Sequence, residues 1–549
     1  MATVSPPKAS SHPAGLYVLF FTEMWERFGF YLILGILFLY MTDGRDGGLN
    51  LSSDTANDIY GTYIALVYLT PFIGGLLADR IFGYSRTIIA GGALMAMGYW
   101  LLAYPGINAF ATALGLIIIG NGLFKPNIST LLGNLYNREE YAHMKDKGYN
   151  IFYMGINVGA FFCNFVAAYL RNKYGWGPAF ASAGFGMALG LIIFVLFRSR
   201  VASADVRRPV QAEDMSLGRI AAVIFLPAFI FAVLGFFAGS LLTNLRTSMG
   251  ADAGGTTIFG SRSNDAFLFA CVPVVLFYLS TFLRASPADR KPIGALLYIF
   301  AVVIIFWAIF HQNGNVLTSW AEVNTHREMP AVLEPTASAV GLEQVVSAQP
   351  DANGKMDPYF ENVPVDQRPA AGSTLSLIST ELFQSLNPFF VVLLTPLVVG
   401  FFSWLASRGR EPSTPAKIAL GLFITGLSTL VMIAAVYASD NGNMKVSPMW
   451  LVSTYAVITI GELCLSPMGL SLVSKLSPPR LTALMMGGWF LSTSIGNKLA
   501  GVLGHLGSDS ENKATVFAIN FVGATVSAFL LLIMVKHIRE VMKAKTGHY

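Results

Sequence analysis

The chain has 549 residues, of which 54% are hydrophobic and only 12% charged, and its formal net charge is +5. Soluble domains carry about 25% charged residues, so this composition and a mean hydropathy of +0.57 exclude a soluble globular protein. Repeated apolar runs of helical length predict an all-α membrane protein that crosses the bilayer many times. The excess of basic residues does not indicate a nucleic-acid partner, because lysine and arginine are enriched in the cytoplasmic loops of membrane proteins. The cysteines, Cys163, Cys271 and Cys464, lie in apolar runs and predict neither a disulfide nor a metal site.

The first apolar run, residues 15–41, contains Glu23, Glu26 and Arg27. Positions i, i+3 and i+4 share one face of a helix. An ionised side chain near the bilayer centre costs roughly 2.5–3.5 kcal/mol on insertion scales, so this face must look into protein or water. A self-contained ion cluster and a proton and substrate site in a wet cavity both fit the pattern, and we favour the second interpretation.

Two later apolar runs each carry a single charge beside a proline. Lys125 lies in the fourth run, residues 111–136, and Glu462 lies in the run that we count as helix 10. A lysine in a dry interior needs an acidic partner, and we predict that Glu23 or Glu26 supplies it. A lone glutamate beside a Pro-Gly break suits the binding of a cationic group in a cavity.

Three separate segments resemble the signatures of one transporter family. In chain order they read Glu23-x-x-Glu26-Arg27-Phe28-x-Phe30-Tyr31, Phe152-Tyr153-x-x-Ile156-Asn157-x-Gly159 and Gly461-Glu462-x-x-x-Ser466-Pro467. Together they resemble the proton-dependent oligopeptide transporter (POT/PTR) family of the major facilitator superfamily. The turn at residues 74–86, after the second run, resembles the helix 2–3 loop signature of that superfamily. The resemblance spans both halves of the chain.

The resemblance implies a major facilitator fold with two six-helix bundles. Residues 1–198 are predicted to form the N-terminal bundle and residues 289–549 the C-terminal bundle. Residues 199–288 hold two additional apolar runs, as bacterial members of the family do, so we expect fourteen transmembrane helices. These two helices bring no intramembrane charge and are predicted to pack peripherally. The proline-rich stretch 313–379 is predicted to be a long external loop, either partly disordered or a small lid.

The predicted binding mode follows from opposite charges in the two halves of the chain. A zwitterion places its carboxylate by Arg27 and Lys125 and its ammonium by Glu462, and a ligand that bridges the bundles biases their rocking. The resemblance further implies that Asn157 and Asn387 assist at a peptide backbone and that tyrosines line the cavity. The predicted substrate-binding residues are Arg27, Tyr31, Tyr68, Lys125, Tyr153, Asn157, Asn387, Glu462, Trp489 and Ser492.

Proton coupling is expected from the same charges. A glutamate stays ionised while a cation faces it and takes up a proton when opening of the cavity breaks the pair. We predict that Glu23 or Glu26 carries this proton. The predicted proton-coupling residues are Glu23, Glu26, Arg27, Lys125 and His311.

Two departures from the family pattern affect this prediction. Many members have an arginine where Leu34 stands, paired with a glutamate where His311 stands, and both are replaced here. Phe30 also stands at a family tyrosine position. Two interpretations of His311 stay open: a group that titrates near neutral pH and shares in proton coupling, or a neutral, hydrogen-bonded gate residue.

The predicted function is proton-coupled import of di- and tripeptides by alternating access. The alternatives are a carrier of nitrate or another small anion from the same family, and a peptide sensor. An intramembrane enzyme is not expected, since the chain has no His-Glu-x-x-His, nucleophile elbow or Gly-rich phosphate loop. No cofactor or metal is expected; the predicted partners are small peptides, protons and the lipid bilayer. We expect a monomer in the cell (inner) membrane with both termini cytoplasmic, because this topology places about two thirds of the lysines and arginines inside.

Overall fold

The computed structural model describes residues 11–45, 47–206, 216–249, 256–332, 334–350, 354–370, 373–478 and 481–546. Fourteen long helices form within these ranges, and twelve of them are apolar enough to cross a membrane. This confirms the prediction of an all-α membrane protein, and the fourteen long helices are roughly consistent with the fourteen predicted transmembrane helices. They are α1 (Ala14–Thr42), α2 (Ser53–Leu77), α3 (Tyr84–Leu102), α4 (Ile107–Leu135), α5 (Lys145–Tyr174), α6 (Trp176–Leu196), α7 (Leu217–Ser248), α8 (Arg262–Leu283), α9 (Pro287–Phe310), α10 (Leu386–Ser407), α11 (Thr414–Ala438), α12 (Met449–Leu476), α13 (Thr482–Asp509) and α14 (Ala514–Thr546).

The helices pack as two groups of six with a pair between them. Helices α1 to α6 contact one another, α9 to α14 form the second group, and α7 packs along α8. Within each group, glycines bring backbones into contact where a side chain would not fit. A Cβ on Gly74 of α2 would lie 1.9 Å from the carbonyl oxygen of Gly122 on α4, and one on Gly421 of α11 would lie 2.7 Å from that of Gly461 on α12. These close approaches fix the positions of the neighbouring residues Lys125 and Glu462.

The pair α7–α8 makes more than peripheral contacts. The exposed side chains of α7, such as Phe229 and Leu241, fit its outer position. Helix α8, however, lies against α2 and α13, and its Tyr278 hydroxyl donates to the Leu484 carbonyl at 2.8 Å. The start of α8 also supplies Ser263 to a polar cluster between the two bundles. The predicted peripheral position therefore describes α7 better than α8.

The stretch predicted as an external loop is folded in the described residues. A 3₁₀ turn, His311–Gly314, and a helix, Val316–Val323, extend α9, and a two-stranded antiparallel sheet follows. Its strands are β1 (Glu343–Ser347) and β2 (Thr374–Ile378), paired from Glu343 with Ile378 to Ser347 with Thr374. We call the described residues 324–379 the cap.

A small apolar core and contacts with both bundles hold the cap in place. The core consists of Val346, Tyr359, Phe360 and Leu377. Asp357 accepts from Arg45, after α1, at 2.6 Å. Asn362 accepts from Lys445, before α12, at 3.0 Å. Of the two alternatives left by the sequence, this folded segment fits a small lid better than a disordered loop. The end of the bundles that it covers is called the capped end below.

Candidate binding site between the bundles

The charged cluster on α1 is almost completely buried. The Arg27 guanidinium donates to both carboxylate oxygens of Glu26 and, at 3.3 Å, to Asn121 Oδ1 of α4. Its charge also lies 4.5 Å from the centre of the Phe30 ring. Arg27 is only 2% exposed. Because its Nε and Nη2 donors and its flat face are occupied from within the N-terminal bundle, Arg27 stabilises the cluster in this conformation.

Glu23 is less completely paired than Glu26. Its Oε1 lies 3.6 Å from Arg27 Nε, beyond normal hydrogen-bond distance. Its Oε2 is buried and has no hydrogen-bond partner among the described residues. A buried carboxylate oxygen without a donor is costly unless the group binds a proton or a cation. Of the two acids predicted to carry a proton, Glu23 is therefore the one with a free carboxylate oxygen, Oε2, that can bind it.

Lys125 has no acidic partner in the described part of the chain, where no carboxylate lies within 4.0 Å of its ammonium. Its Nζ lies 4.4 Å from the centre of the Tyr68 ring and 5.8 Å from that of Phe30. The predicted direct pairing of Lys125 with Glu23 or Glu26 is thus wrong for this conformation, because Arg27 takes up those acids. Lys125 is partly exposed and remains the open cation of the N-terminal bundle.

Glu462 of α12 contributes the opposite charge from the C-terminal bundle. Its Oε2 accepts a hydrogen bond from Asn387 Nδ2 on α10 at 2.9 Å, and Asn387 also donates to Thr459 Oγ1 at 3.0 Å. Glu462 is partly exposed and has no basic partner within 4.0 Å among the described residues. The amide of Asn387 thus orients the carboxylate and leaves it able to accept a cation.

Tyrosines of the N-terminal bundle lie near this carboxylate. Tyr31 is close enough to Tyr68, Tyr153 and Glu462 to interact with each of them electrostatically. Tyr153 interacts with Glu462 in the same way. The structure therefore brings together the predicted tyrosines and acid from opposite halves of the chain.

Aromatic rings form one wall of the site. The Tyr68 ring lies 5.5 Å from the His311 ring, and Trp307 lies 5.6 Å from His311 and 6.5 Å from Trp489. Sequence reasoning did not single out Trp307, since one aromatic residue in an apolar run carries no signal. This wall connects the lysine side of the site with the C-terminal bundle.

Two predicted binding residues use their polar groups within their own helices. Ser492 is buried and donates to the Gly488 carbonyl at 3.0 Å. Asn157 Nδ2 donates to the Tyr153 carbonyl at 2.9 Å, which leaves its amide oxygen as the group able to meet a ligand. In this conformation Ser492 presents no free donor to the site.

His311 is enclosed by aromatic rings. It is 4% exposed, its Nδ1 lies 3.4 Å from the Trp307 carbonyl, and the Phe310 ring lies 5.3 Å away. Among the described residues it forms no ion pair, and Leu34, the other replaced gate residue, is buried and apolar. Of the two interpretations, this environment favours a neutral gate residue.

Polar contacts join the bundles at the capped end. They include an ion pair and two side-chain hydrogen bonds, each between an N-terminal and a C-terminal residue. The pairs are Arg171 with Glu381 at 3.2 Å, Asn57 with Asn315 at 2.8 Å, and Asn164 with Ser385 at 3.2 Å. We call these three contacts the gate. They hold N-terminal to C-terminal residues between the cap and the site.

A buried ion pair between α2 and α13 was missed in the sequence. Lys498 is fully buried and donates to Asp58 at 2.9 Å and to Ser263 of α8 at 2.7 Å. Ser261, before α8, donates to the same aspartate at 2.8 Å. The intramembrane lysine was a visible signal, but its partner lies 440 residues away along the chain.

Comparison with known proteins identifies the family. The sequence model of the POT family (PTR2) matches residues 85–338 and 372–520, which is more than half of the chain. The chain belongs to the POT family. The predicted family is thereby confirmed, and with it membership of a family of membrane transporters.

POT family relatives match along nearly the whole chain. The uncharacterized transporter YclF of Bacillus subtilis is 32% identical over 88% of this chain and 86% of its own. The di-/tripeptide transporter of Lactococcus lactis subsp. lactis is 30% identical over 96% of both chains.

Solved POT structures share the fold. A mutant of a peptide transporter POT in complex with alafosfalin has a TM-score of 0.73 and 32% identity over 98% of both chains. A POT family transporter in complex with 5-aminolevulinic acid has a TM-score of 0.76 and 27% identity over 97% of this chain and 99% of that one. The predicted major facilitator fold is confirmed by these matches.

Proposed function

We propose that this POT transporter is a proton-coupled symporter that imports di- and tripeptides by alternating access. The observation that carries the proposal is an open cation, Lys125, and an oriented carboxylate, Glu462, on opposite bundles around a tyrosine-lined site. A peptide has a charge of each sign at its ends, and one that contacts both bundles favours the conformations in which they are close.

Relatives support a ligand of this chemistry. The Lactococcus relative is a di-/tripeptide transporter, and it matches this chain over almost its full length. One of the matched structures holds 5-aminolevulinic acid, a short molecule with an amine at one end and a carboxylate at the other. If Lys125 and Glu462 bind one ligand together, that ligand needs both a carboxylate and an ammonium group.

In the proposed pose, Lys125 takes the peptide carboxylate and Glu462 takes the ammonium. Arg27 contributes mainly through the field of its cluster, since Glu26 and Asn121 occupy its Nε and Nη2 donors. Asn387 holds Glu462 in place and the tyrosines line the peptide backbone. Apolar and aromatic surroundings, including the Trp307–Trp489 wall, accept varied side chains with little selectivity.

Alternating access requires that the gate open and close. Opening towards the cap must break the Arg171–Glu381 ion pair and the Asn164–Ser385 hydrogen bond, which both cross between bundles. We place the capped end outside the cell, because the predicted topology then follows the positive-inside rule with both termini in the cytoplasm. The chain would act as a monomer in the cell membrane of a bacterium.

Counterflow in proteoliposomes tests the proposal. Vesicles loaded with unlabelled dialanine should accumulate labelled dialanine, and N-acetyl-dialaninamide, which lacks both end charges, should compete poorly. Exchange of nitrate without exchange of dialanine would identify a small-anion carrier. Saturable dialanine binding without exchange would identify a sensor.

Glu23→Gln is expected to uncouple transport from the proton gradient. Glu23 has the buried oxygen without a partner, so removing its charge removes the proton site while the Arg27–Glu26 pair remains. We expect accumulation driven by a pH gradient to fall at least about tenfold, whereas counterflow at equal pH, which needs no net proton movement, should persist. Full gradient-driven accumulation by both Glu23→Gln and Glu26→Gln would contradict this part of the proposal.

His311→Ala is expected to leave the pH profile of uptake in place. His311 packs between aromatic rings and has no ion-pair partner in the described chain, so its loss should lower the uptake rate through packing. The measurement is initial uptake of dialanine between pH 5 and 8, with His143→Ala on an exposed turn as the control. An abolished pH dependence would instead assign His311 to proton coupling.

A further inference from the structure

A second cavity lies beneath the cap, outside the site between the bundles. Its volume is ≈ 1290 Å³, which far exceeds the space that one water occupies. It is lined by residues of the cap, of the turn after α1 and of the segment before α14. The cavity is therefore a chamber between the cap and the bundles, and we call it the vestibule.

Part of the gate forms the floor of the vestibule. Asn57 and Asn315, which hydrogen-bond across the bundles, both line the chamber, as does Arg171. On the other side of this gate, Tyr60 of α2 approaches Gly314 so closely that a Cβ there would lie 1.6 Å from its hydroxyl. The vestibule therefore lies next to the contacts that hold the two bundles together at the capped end.

Charged side chains of both signs line the vestibule outside the ion pairs of the described residues. Glu322 and Lys513 line it, and among the described residues neither side chain has a hydrogen bond or an ion pair within 4.0 Å. Both are partly exposed. Trp320 also lines the chamber, and its buried indole N–H has no acceptor in the described part of the chain. An anion, a cation and a donor are thus available in one chamber.

The surroundings of the vestibule strengthen electrostatic contacts. Burial lowers the pKa of Lys445, which anchors the cap, to about 7. Burial also lowers the pKa of Lys513. These directions mean that charges at the base of the cap lie in a less polar medium than water, where a charged ligand interacts with them more strongly.

We propose that the vestibule is a second, outer binding site for zwitterionic peptides, with Glu322 facing the ammonium and Lys513 the carboxylate. The inference rests on the proposed function, because it assigns the same substrate class to a chamber beside the gate. Binding there holds the peptide next to the closed gate and raises its local concentration for the moment when the gate opens.

Thiol protection tests the proposal on the full-length protein. Ser347 on β1 lines the vestibule, and the three native cysteines are buried. In proteoliposomes of Ser347→Cys, dialanine is expected to slow labelling by a membrane-impermeant maleimide at least about threefold, and N-acetyl-dialaninamide should not. Ser373→Cys is the control, since Ser373 is exposed and does not line the chamber.

Further variants separate the two sites. Protection of Ser347→Cys should persist when Glu462→Gln disables the central site, and it should be lost with Glu322→Gln or Lys513→Gln. Loss of protection with Glu462→Gln would overturn the proposal, since the effect would then come from the central site. If dialanine does not change the labelling rate of Ser347→Cys although dialanine counterflow is intact, the proposal is overturned too, and the proposed function still stands. Absent counterflow in the unmodified protein would refute the proposed function instead.

Discussion

Glu462→Gln is expected to raise the Kd for dialanine by about tenfold to a hundredfold. A hydrogen bond to a charged group contributes roughly 1.5–3 kcal/mol, and about 1.4 kcal/mol corresponds to a factor of ten in affinity. The variant keeps the shape of the side chain and its hydrogen bond with Asn387, so the loss reports on the charge. Isothermal titration calorimetry on the purified protein measures it.

Modified ligands show which end of the peptide each charge contacts. For the unmodified protein, acetylating the amine or amidating the carboxylate of dialanine should each weaken binding. Glu462→Gln should no longer distinguish dialanine from its N-acetyl form, and Lys125→Gln should no longer distinguish it from its amide. Glu139→Gln, on an exposed turn, is the control and should change no Kd. If both variants keep the full preference for free ends, the proposed pose is wrong.

Asp58→Asn is expected to destabilise the protein strongly. The substitution leaves Lys498 charged, fully buried and without its acid, and breaking a buried pair in this way costs about 3–5 kcal/mol. The double variant Asp58→Asn/Lys498→Met should recover most of the loss, because the uncompensated charge is gone. The midpoint of thermal unfolding in detergent measures both effects.

A more exposed ion pair provides the matched control for this prediction. Glu411, before α11, pairs with Lys417 in the first turn of α11 and is 45% exposed. Such pairs contribute about 0–1 kcal/mol, so Glu411→Gln should hardly move the midpoint. Equal midpoints for Asp58→Asn and Glu411→Gln would mean that the bundles do not depend on the buried pair.

The helices and the charged site followed well from the sequence, because both rest on local patterns. Apolar runs of helical length predicted the fourteen helices, and the cost of intramembrane charge singled out Glu23, Arg27, Lys125 and Glu462. The partners of these charges were less predictable. Arg27, the residue after Glu26, pairs with the acids predicted as partners of Lys125. Which cation reaches an acid depends on the rotation of each helix in the bundle, and sequence spacing does not determine that rotation.

The cap and the buried pair between the bundles illustrate what a single sequence does not contain. Prolines and polar residues made 313–379 look irregular, and the pairing of β1 with β2 joins residues about thirty positions apart around a core of four side chains. Asp58 lies near the start of α2, where an acidic residue is common at a helix N-terminus. Only the packed bundles bring it to Lys498.

The contact between α2 and α13 has a mechanical consequence. One turn from the Asp58–Lys498 pair, Gly61 and Gly501 touch backbone to backbone, so that a Cβ on Gly61 would lie 2.9 Å from the Gly501 Cα. With no side chains interlocked there, the two halves can roll about this point while the buried pair keeps them from sliding apart. We expect the axis of the rocking motion to pass through this seam, so that displacements grow with distance from it and are largest on the far side of the molecule.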